Sequence, residues 1–532
     1  MMERVKISKR LVLINSVSSL VTRLLSISVL VWLQQYLLKR ITPEEYSLLP
    51  VLYSVMMFAP LLTTILTGGL GRYIVEAYAK EDDERITQIV STMFPILCAA
   101  GLVFLAAGWT FSWHIGSVLN IAPERLWDAR IMMALLMFSA AVRLPLSPFG
   151  VGLFVRQKFV LQNVIGVGTE IFRLALLFTL LFGVSTRVMW VVTASVTAEL
   201  LNLAVTQAIS RRLVPSLRFS ISHRHWSIAR EITSFGGWSF VQSLANTVRM
   251  ALDPIILNGF GTPVDIVCFY IGTLFCRHIE GIGNALRGPL QPSLTAIHAR
   301  GEIDRIQRVY IRGGRINLWF SLFLAVPFMV YAHEFVTLYV GSVYEQAAPV
   351  MRLSLLMFPI AYGNTMFVYI CEAKANNRLF AIRFLVMNVI NLILTLIFVI
   401  GFRFGAIGSA LATACSFAVV YPLSMWPTGR RLVGVDGATW FRRTIVPGLL
   451  PGIASGLVMV SLKLFVTPET WFSLLTCATA GAATYLVVLL RSCLGEDDKA
   501  DILRVVHSLP FGEPIAASCI RRLLGPRGDR LQ

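Results

Sequence analysis

"NSVSSLVTRLLSISVLVW", residues Asn15–Trp32, is long and apolar enough to cross a bilayer. Arg23 nevertheless sits near its middle, among small polar residues. A charge at the centre of a membrane helix costs about 2.5 kcal/mol or more, so Arg23 needs a partner or water.

The rest of the chain repeats the pattern. Its 532 residues are 56% hydrophobic and 14% charged, whereas a soluble domain carries about 25% charged residues. Apolar runs of helix-spanning length recur from end to end. They predict an all-α polytopic membrane protein of about fourteen spans. The expected spans start near residues 11, 46, 88, 130, 159, 187, 234, 264, 316, 346, 380, 404, 444 and 471. The basic opening "MMERVKISKR" precedes an apolar segment with no small-residue cleavage site, so that segment reads as the first span, not a signal peptide.

The net charge of +18 is placed by topology. With a cytoplasmic N-terminus and alternating spans, 33 of the 47 Lys and Arg fall on the cytoplasmic side and 6 on the other. That asymmetry predicts two cytoplasmic termini and an even number of spans, and it argues against a nucleic-acid partner. The eight cysteines show no CxxC spacing, so neither a disulfide framework nor a metal site is expected.

Four residue pairs recur at one offset of 220: Thr42-Pro43 and Thr262-Pro263, Ala79-Lys80 and Ala299-Arg300, Arg85-Ile86 and Arg305-Ile306, Thr193-Ala194 and Thr413-Ala414. The offset spans six helices, so the halves share one orientation, as in a parallel repeat. The expected organisation is an N-lobe at 1–211, a basic linker at 212–231 and a C-lobe at 232–428. An extra helix pair at 443–491 and a cytoplasmic tail at 492–532 follow.

Polar stripes open both lobes. Asn15, Ser19, Thr22 and Ser26 lie on one helical face beside Arg23; Gln242, Asn246, Arg249 and Asp253 repeat the spacing. Span 8 adds Arg277, Glu280, Asn284 and Arg287, and span 5 adds Asn163, Glu170 and Arg173. Arg249 with Asp253, Arg277 with Glu280, and Glu170 with Arg173 are spaced for ion pairs along one helix. Arg23 and Arg287 have no close acidic neighbour in sequence. The alternative for Arg23 is an acid on another helix, Glu170 or Glu199. The excess of intramembrane arginine suits an anionic cargo, since arginine forks hold phosphate oxygens bidentately.

Two six-helix lobes in parallel repeat resemble the multidrug/oligosaccharidyl-lipid/polysaccharide exporter superfamily, and within it the polysaccharide (O-antigen type) flippases. The residues that carry this are "RITPEEYSLL" (40–49), with Ser47 where glycine is usual, and "LDPIILNGFGTPVDIVCFYIG" (252–272), with Pro254 in place of a more usual residue. The resemblance covers roughly residues 10–430. It implies a transporter that moves a polyprenyl-pyrophosphate-linked oligosaccharide across the bacterial cytoplasmic membrane by alternating access, for cell-surface polysaccharide synthesis. It implies no catalytic residues and no cofactor beyond Na+ or H+ coupling. On this reading Arg23, Arg249, Arg277 and Arg287 hold the cargo anion. Asn15, Ser19, Gln242, Asn246 and Asn284 line the cavity. Glu170, Asp253 and Glu280 are candidates for ion coupling. The expected partners are the anionic lipid-linked glycan, membrane lipids, and polysaccharide polymerase and export machinery. Two alternatives compete: an organic-cation antiporter of the same superfamily, which needs unpaired acids, and a membrane glycan-processing enzyme, for which no nucleophile triad or long loop stands out.

Overall fold

The computed structural model describes residues 31–495 and 498–499, except 68–69, 157, 288–293, 295–296, 299–300 and 374–376. Among the described residues all regular structure is helical. The principal helices are α1 (Leu48–Met56), α2 (Ala59–Thr67), α3 (Leu70–Ala79), α4 (Asp83–Trp113), α5 (Leu126–Leu146), α6 (Phe159–Gly183), α7 (Met189–Leu213), α8 (Trp226–Phe260) and α9 (Pro263–Arg287). They continue with α10 (Ile303–Val330), α11 (Ala347–Leu356), α12 (Phe358–Gly363), α13 (Thr365–Ala373), α14 (Asn377–Leu396), α15 (Gly405–Cys415), α16 (Tyr421–Val433), α17 (Val446–Phe465) and α18 (Trp471–Val488).

Ten described helical segments are long and apolar enough to cross a membrane, and an eleventh is a pair bent by 45°. They account for the expected spans from 88 to 187, from 264 to 346, and from 380 to 471. The span expected from residue 11 falls mostly outside the described residues. The one expected from 46 is broken between α1 and α2, at Met57–Phe58. Pro60, second in α2, has no N–H to continue α1 and clashes with the preceding turn. The one expected from 234 lies within α8, a 35-residue helix that runs through Pro254 to Phe260.

The bent pair is α11–α12 followed by α13, broken at Asn364. Its buried side chain fills the break: the Tyr310 hydroxyl donates to Asn364 Oδ1 at 2.6 Å, and Asn364 Nδ2 donates to the Tyr421 hydroxyl at 2.9 Å. Capping sets other ends. Asp82 accepts from the Arg85 amide at 2.8 Å to start α4, and Gly434, in the left-handed region, closes α16.

The chain divides into two compact units, Met1–Tyr270 with Leu392–Ser409, and Ile271–Asn391 with Ala410–Gln532. In the first, α4 packs on α5, α6 on α7, and α8 on α1 and α2. Ile74, Met93, Leu97, Phe149 and Leu217 are fully buried in its core. The segment 392–409 belongs here because it bonds to earlier helices. Thr395 Oγ1 donates to Asp253 at 3.4 Å, and the Ala406 amide donates to Asp265 at 3.1 Å.

In the second unit α10 is the central helix, and the extra pair α17–α18 is seated on it. Three buried aromatic groups tie them together. Trp319 Nε1 donates to the Pro447 carbonyl at 3.1 Å, the Tyr485 hydroxyl to Trp319 at 2.8 Å, and the Tyr331 hydroxyl to Met459 at 2.9 Å. Each satisfies a polar group that would be costly to leave unpaired in lipid. Small residues let the backbones approach: a Cβ added at Gly314 would sit 2.3 Å from the Gly363 carbonyl oxygen.

The 220-residue offset reappears as local structure. Thr42 caps Pro43–Tyr46 by accepting from the Glu45 amide at 3.4 Å, and Thr262 accepts from the Asp265 amide at 3.2 Å at the start of α9.

Candidate functional site

Among the described residues of the first unit, a set of polar side chains lies on α5, α6 and α7. On α6, Arg173 Nε donates to Glu170 at 3.1 Å, and its Nη2 engages the second carboxylate oxygen. The pair expected from the i, i+3 spacing is therefore formed, and both side chains are mostly buried. Glu199 of α7 accepts from Ser139 Oγ at 3.0 Å and pairs with Arg143 of α5 at 3.4 Å. Asn202, one turn along α7, donates to Thr169 of α6 at 3.0 Å.

This cluster holds two arginines and two glutamates. Its charges balance, and Glu170 and Glu199, named as alternative partners for Arg23, are both engaged by other arginines. The Arg143 and Glu199 side chains remain 70% and 48% exposed, although both stand on helices apolar enough to span a membrane. Ions in that position face water or a headgroup, not hydrocarbon.

The end of the first unit adds buried polar contacts. Gln34 Nε2 donates to the Tyr270 hydroxyl at 2.7 Å, and the Tyr270 ring lies edge-on to Tyr46 at 6.2 Å. Asp253 is buried and accepts from Thr395.

In the second unit, Arg277 and Asn284 are exposed on α9 and Glu280 is half-buried. Arg277 Nη2 donates to Thr273 Oγ1 at 2.8 Å. Lys463 on α17 meets Glu334 at 2.5 Å and Arg352 donates to the Met329 carbonyl at 3.3 Å, so both basic residues are anchored locally.

Asn15, Ser19 and Arg23 lie outside the described residues. Gln242, Asn246, Arg249 and Arg287 lie on described backbone, in α8 and α9, but their side chains are outside the described set. Among the described residues, no group of three or more His, Cys, Asp or Glu is arranged to hold a metal.

Sequence reasoning did not single out Arg143 or Glu199 as site residues. Glu199 carried the one available signal, a carboxylate eleven residues into the apolar run that starts at Met189. Nothing local marks its partner, since Arg143 lies 56 residues earlier.

The family profile described as polysaccharide biosynthesis protein matches residues 8–274. The uncharacterized membrane protein EpsK of Bacillus subtilis (strain 168) is 19% identical over 504 residues, covering 92% of this chain and 97% of that protein. Solved structures share the fold. The lipid II flippase MurJ in an inward closed conformation aligns with a TM-score of 0.60 at 15% identity, over 89% of this chain and 97% of that one. An inward-facing multidrug resistance MATE family transporter of the MOP superfamily also aligns at 0.60, with 16% identity, over 78% of this chain and 98% of that one.

Proposed function

This chain belongs to the polysaccharide biosynthesis protein family, and on that premise we propose that it is a flippase. Its cargo is a polyprenyl-pyrophosphate-linked oligosaccharide, moved across the bacterial cytoplasmic membrane for cell-surface polysaccharide synthesis. The observation that carries the reading is the exposure of charged side chains on membrane-spanning helices: Arg143 with Glu199, and Arg277. Such groups demand a watered polar path within the bilayer, which a headgroup of sugars and phosphates could follow while its tail stays in lipid. Support for this class of cargo comes from the family's description and from a shared fold with a lipid II flippase.

In this mechanism Arg23, Arg249, Arg277 and Arg287 hold the pyrophosphate, and the lobes rock to alternate access. Asn15, Ser19, Gln242, Asn246 and Asn284 line the path. Glu170, Asp253 and Glu280 couple transport to Na+ or H+. The membrane potential contributes about 2.3 kcal/mol per charge per 100 mV. Both termini are cytoplasmic, and polymerase and export machinery receive the product.

A second reading, an organic-cation antiporter, is favoured by the fold shared with MATE transporters. The pairing of Glu170 and Glu199 with arginines weighs against it.

The test is binding of polyprenyl-pyrophosphate oligosaccharide to purified protein, wild type against Arg23→Ala, Arg249→Ala and Arg277→Ala. Folded variants should lose affinity by tenfold or more, about 1.4 kcal/mol. Unchanged binding in all three removes the arginines from the site. Binding of organic cations, with none of the glycolipid, establishes the antiporter instead.

A further inference from the structure

Helix α4 is longer than a bilayer requires. Its 31 residues reach about 46 Å at about 1.5 Å per residue, against about 30 Å of hydrocarbon. Its last residue marks one headgroup level. Trp113 lies edge-on to Trp127 of α5 at 5.9 Å, and both rings are more than half exposed. The Arg130 guanidinium sits 4.8 Å and 5.3 Å from the two rings. Tryptophans collect at membrane–water interfaces. Counting back along α4 by about 33 Å reaches Ser91, which places Ser91 at the opposite headgroup level.

The segment between α7 and α8 is bonded at that depth. The Ser220 amide donates to Ser91 Oγ at 2.9 Å, and the His225 amide donates to Thr92 Oγ1 at 3.0 Å. The Phe219 ring packs on Phe94 with centroids 5.3 Å apart. Between the two anchors a single turn, Ile221–His223, leaves Ile221 71% exposed, and Trp226 just beyond them is 77% exposed.

The charge around these apolar side chains is one-sided. Arg211, Arg212, Arg218, Arg224 and Arg230 are all exposed. Among the described residues none of the five guanidinium groups has a hydrogen-bond or ion-pair partner. Glu231, the one acid in 211–231, is taken by Arg85 at 3.0 Å. The acidic run 81–84 stands beyond Ser91 on the side away from Trp113. Asp83 lies about 12 Å along the helix from Ser91, outside the headgroup layer. Anionic headgroups attract basic segments at this depth, and the attraction falls off within a Debye length.

We propose that Arg211, Arg212 and the loop 215–226 form a binding surface for anionic phospholipid headgroups, with Ile221 and Trp226 seated among the upper acyl chains. The surface holds the first unit to the leaflet at that end of α4, whatever cargo the chain carries.

The test uses the full-length protein in nanodiscs whose lipids are brominated near the headgroup end of the acyl chain, where bromine quenches tryptophan fluorescence. Discs carrying brominated phosphatidylglycerol are compared with discs carrying the same amount of brominated phosphatidylcholine. The Trp226 contribution is the difference between wild type and Trp226→Phe. Phosphatidylglycerol should quench it at least about twofold more strongly than phosphatidylcholine. The triple variant Arg212→Gln, Arg218→Gln, Arg224→Gln loses no ion-paired partner, so it should melt close to wild type and lose the preference. In wild type itself an ionic strength of about 1 M, which screens charges beyond about 3 Å, should also erase it. A Trp226 quenched by neither lipid would leave the surface to water or a soluble protein. Equal quenching by both would make the contact apolar only. A preference that survives the triple variant or high salt would come from other groups. Each of these results would overturn the proposal.

Discussion

Glu45 and Asp265, 220 residues apart, make the same two-part connection. Each lies three residues after a threonine that caps its own helix start. Each carboxylate then reaches a distant backbone amide just before or at the start of a helix, Val188 at 2.9 Å for Glu45 and Ala406 at 3.1 Å for Asp265. The amides sit 218 residues apart and open α7 and α15, the sixth helices of the two sequence repeats. The duplication legible in "TPEE" and "TPVD" is thus a duplicated latch.

Removing either latch strands a buried amide. Asp265→Ala should destabilise by about 1–3 kcal/mol. Glu45→Ala should cost more, because Arg125 also loses its 2.9 Å partner. Thermal melts in detergent check both, and equal or negligible losses would refute the latch.

Gly405 should tolerate no side chain. Its φ is +51°, and an added Cβ would lie 2.2 Å from Asp265 Oδ1. Gly405→Ala therefore combines strain with a displaced latch. The melt of Gly405→Ala with Asp265→Ala should show less than additive loss.

At Gly314 the obstacle is backbone. Gly314→Val drives a side chain into the Gly363 carbonyl, and overpacking of this kind costs about 1–3 kcal/mol. The readout is the yield of monodisperse protein and its melting temperature. A wild-type melt would mean that α10 and α12 can separate freely.

The Arg143–Glu199 pair is exposed, so its contribution to folding should be small, about 0–1 kcal/mol. Glu199→Gln should leave the melting temperature nearly unchanged while slowing glycolipid movement in proteoliposomes. Full transport by a folded Glu199→Gln protein would make the pair a bystander.

Asp436, in the loop before the helix at Gly437–Trp440, accepts from the Thr439 amide at 3.0 Å. Hydrogen bonds from Thr439 hold its carboxyl below its ordinary value of 3.8. A depressed folded-state value means that the cap is fully present above the unfolded value and is lost as pH falls through the folded one. Asp436→Asn keeps a cap but should flatten that acid-side loss in melts taken on either side of the carboxylate range.

Fold class was legible because hydropathy, proline breaks and caps act within a turn or a span. Apolar runs mark membrane helices wherever they later pack. The Glu170–Arg173 pair was equally legible, because three residues along one helix always bring two side chains together. The Arg143–Glu199 pair was not, since it joins different helices through their packing.

The order of residues by itself determined a multi-pass helical membrane protein with an internal repeat and an excess of basic charge. Tertiary structure alone decided that segment 392–409 joins the first unit and that α17 and α18 seat on α10. It also decided that Asp498, 186 residues from Arg312, pairs with that arginine. Local rules reach only as far as a turn of helix, while an ion pair between helices exists only once packing has set their distance and register.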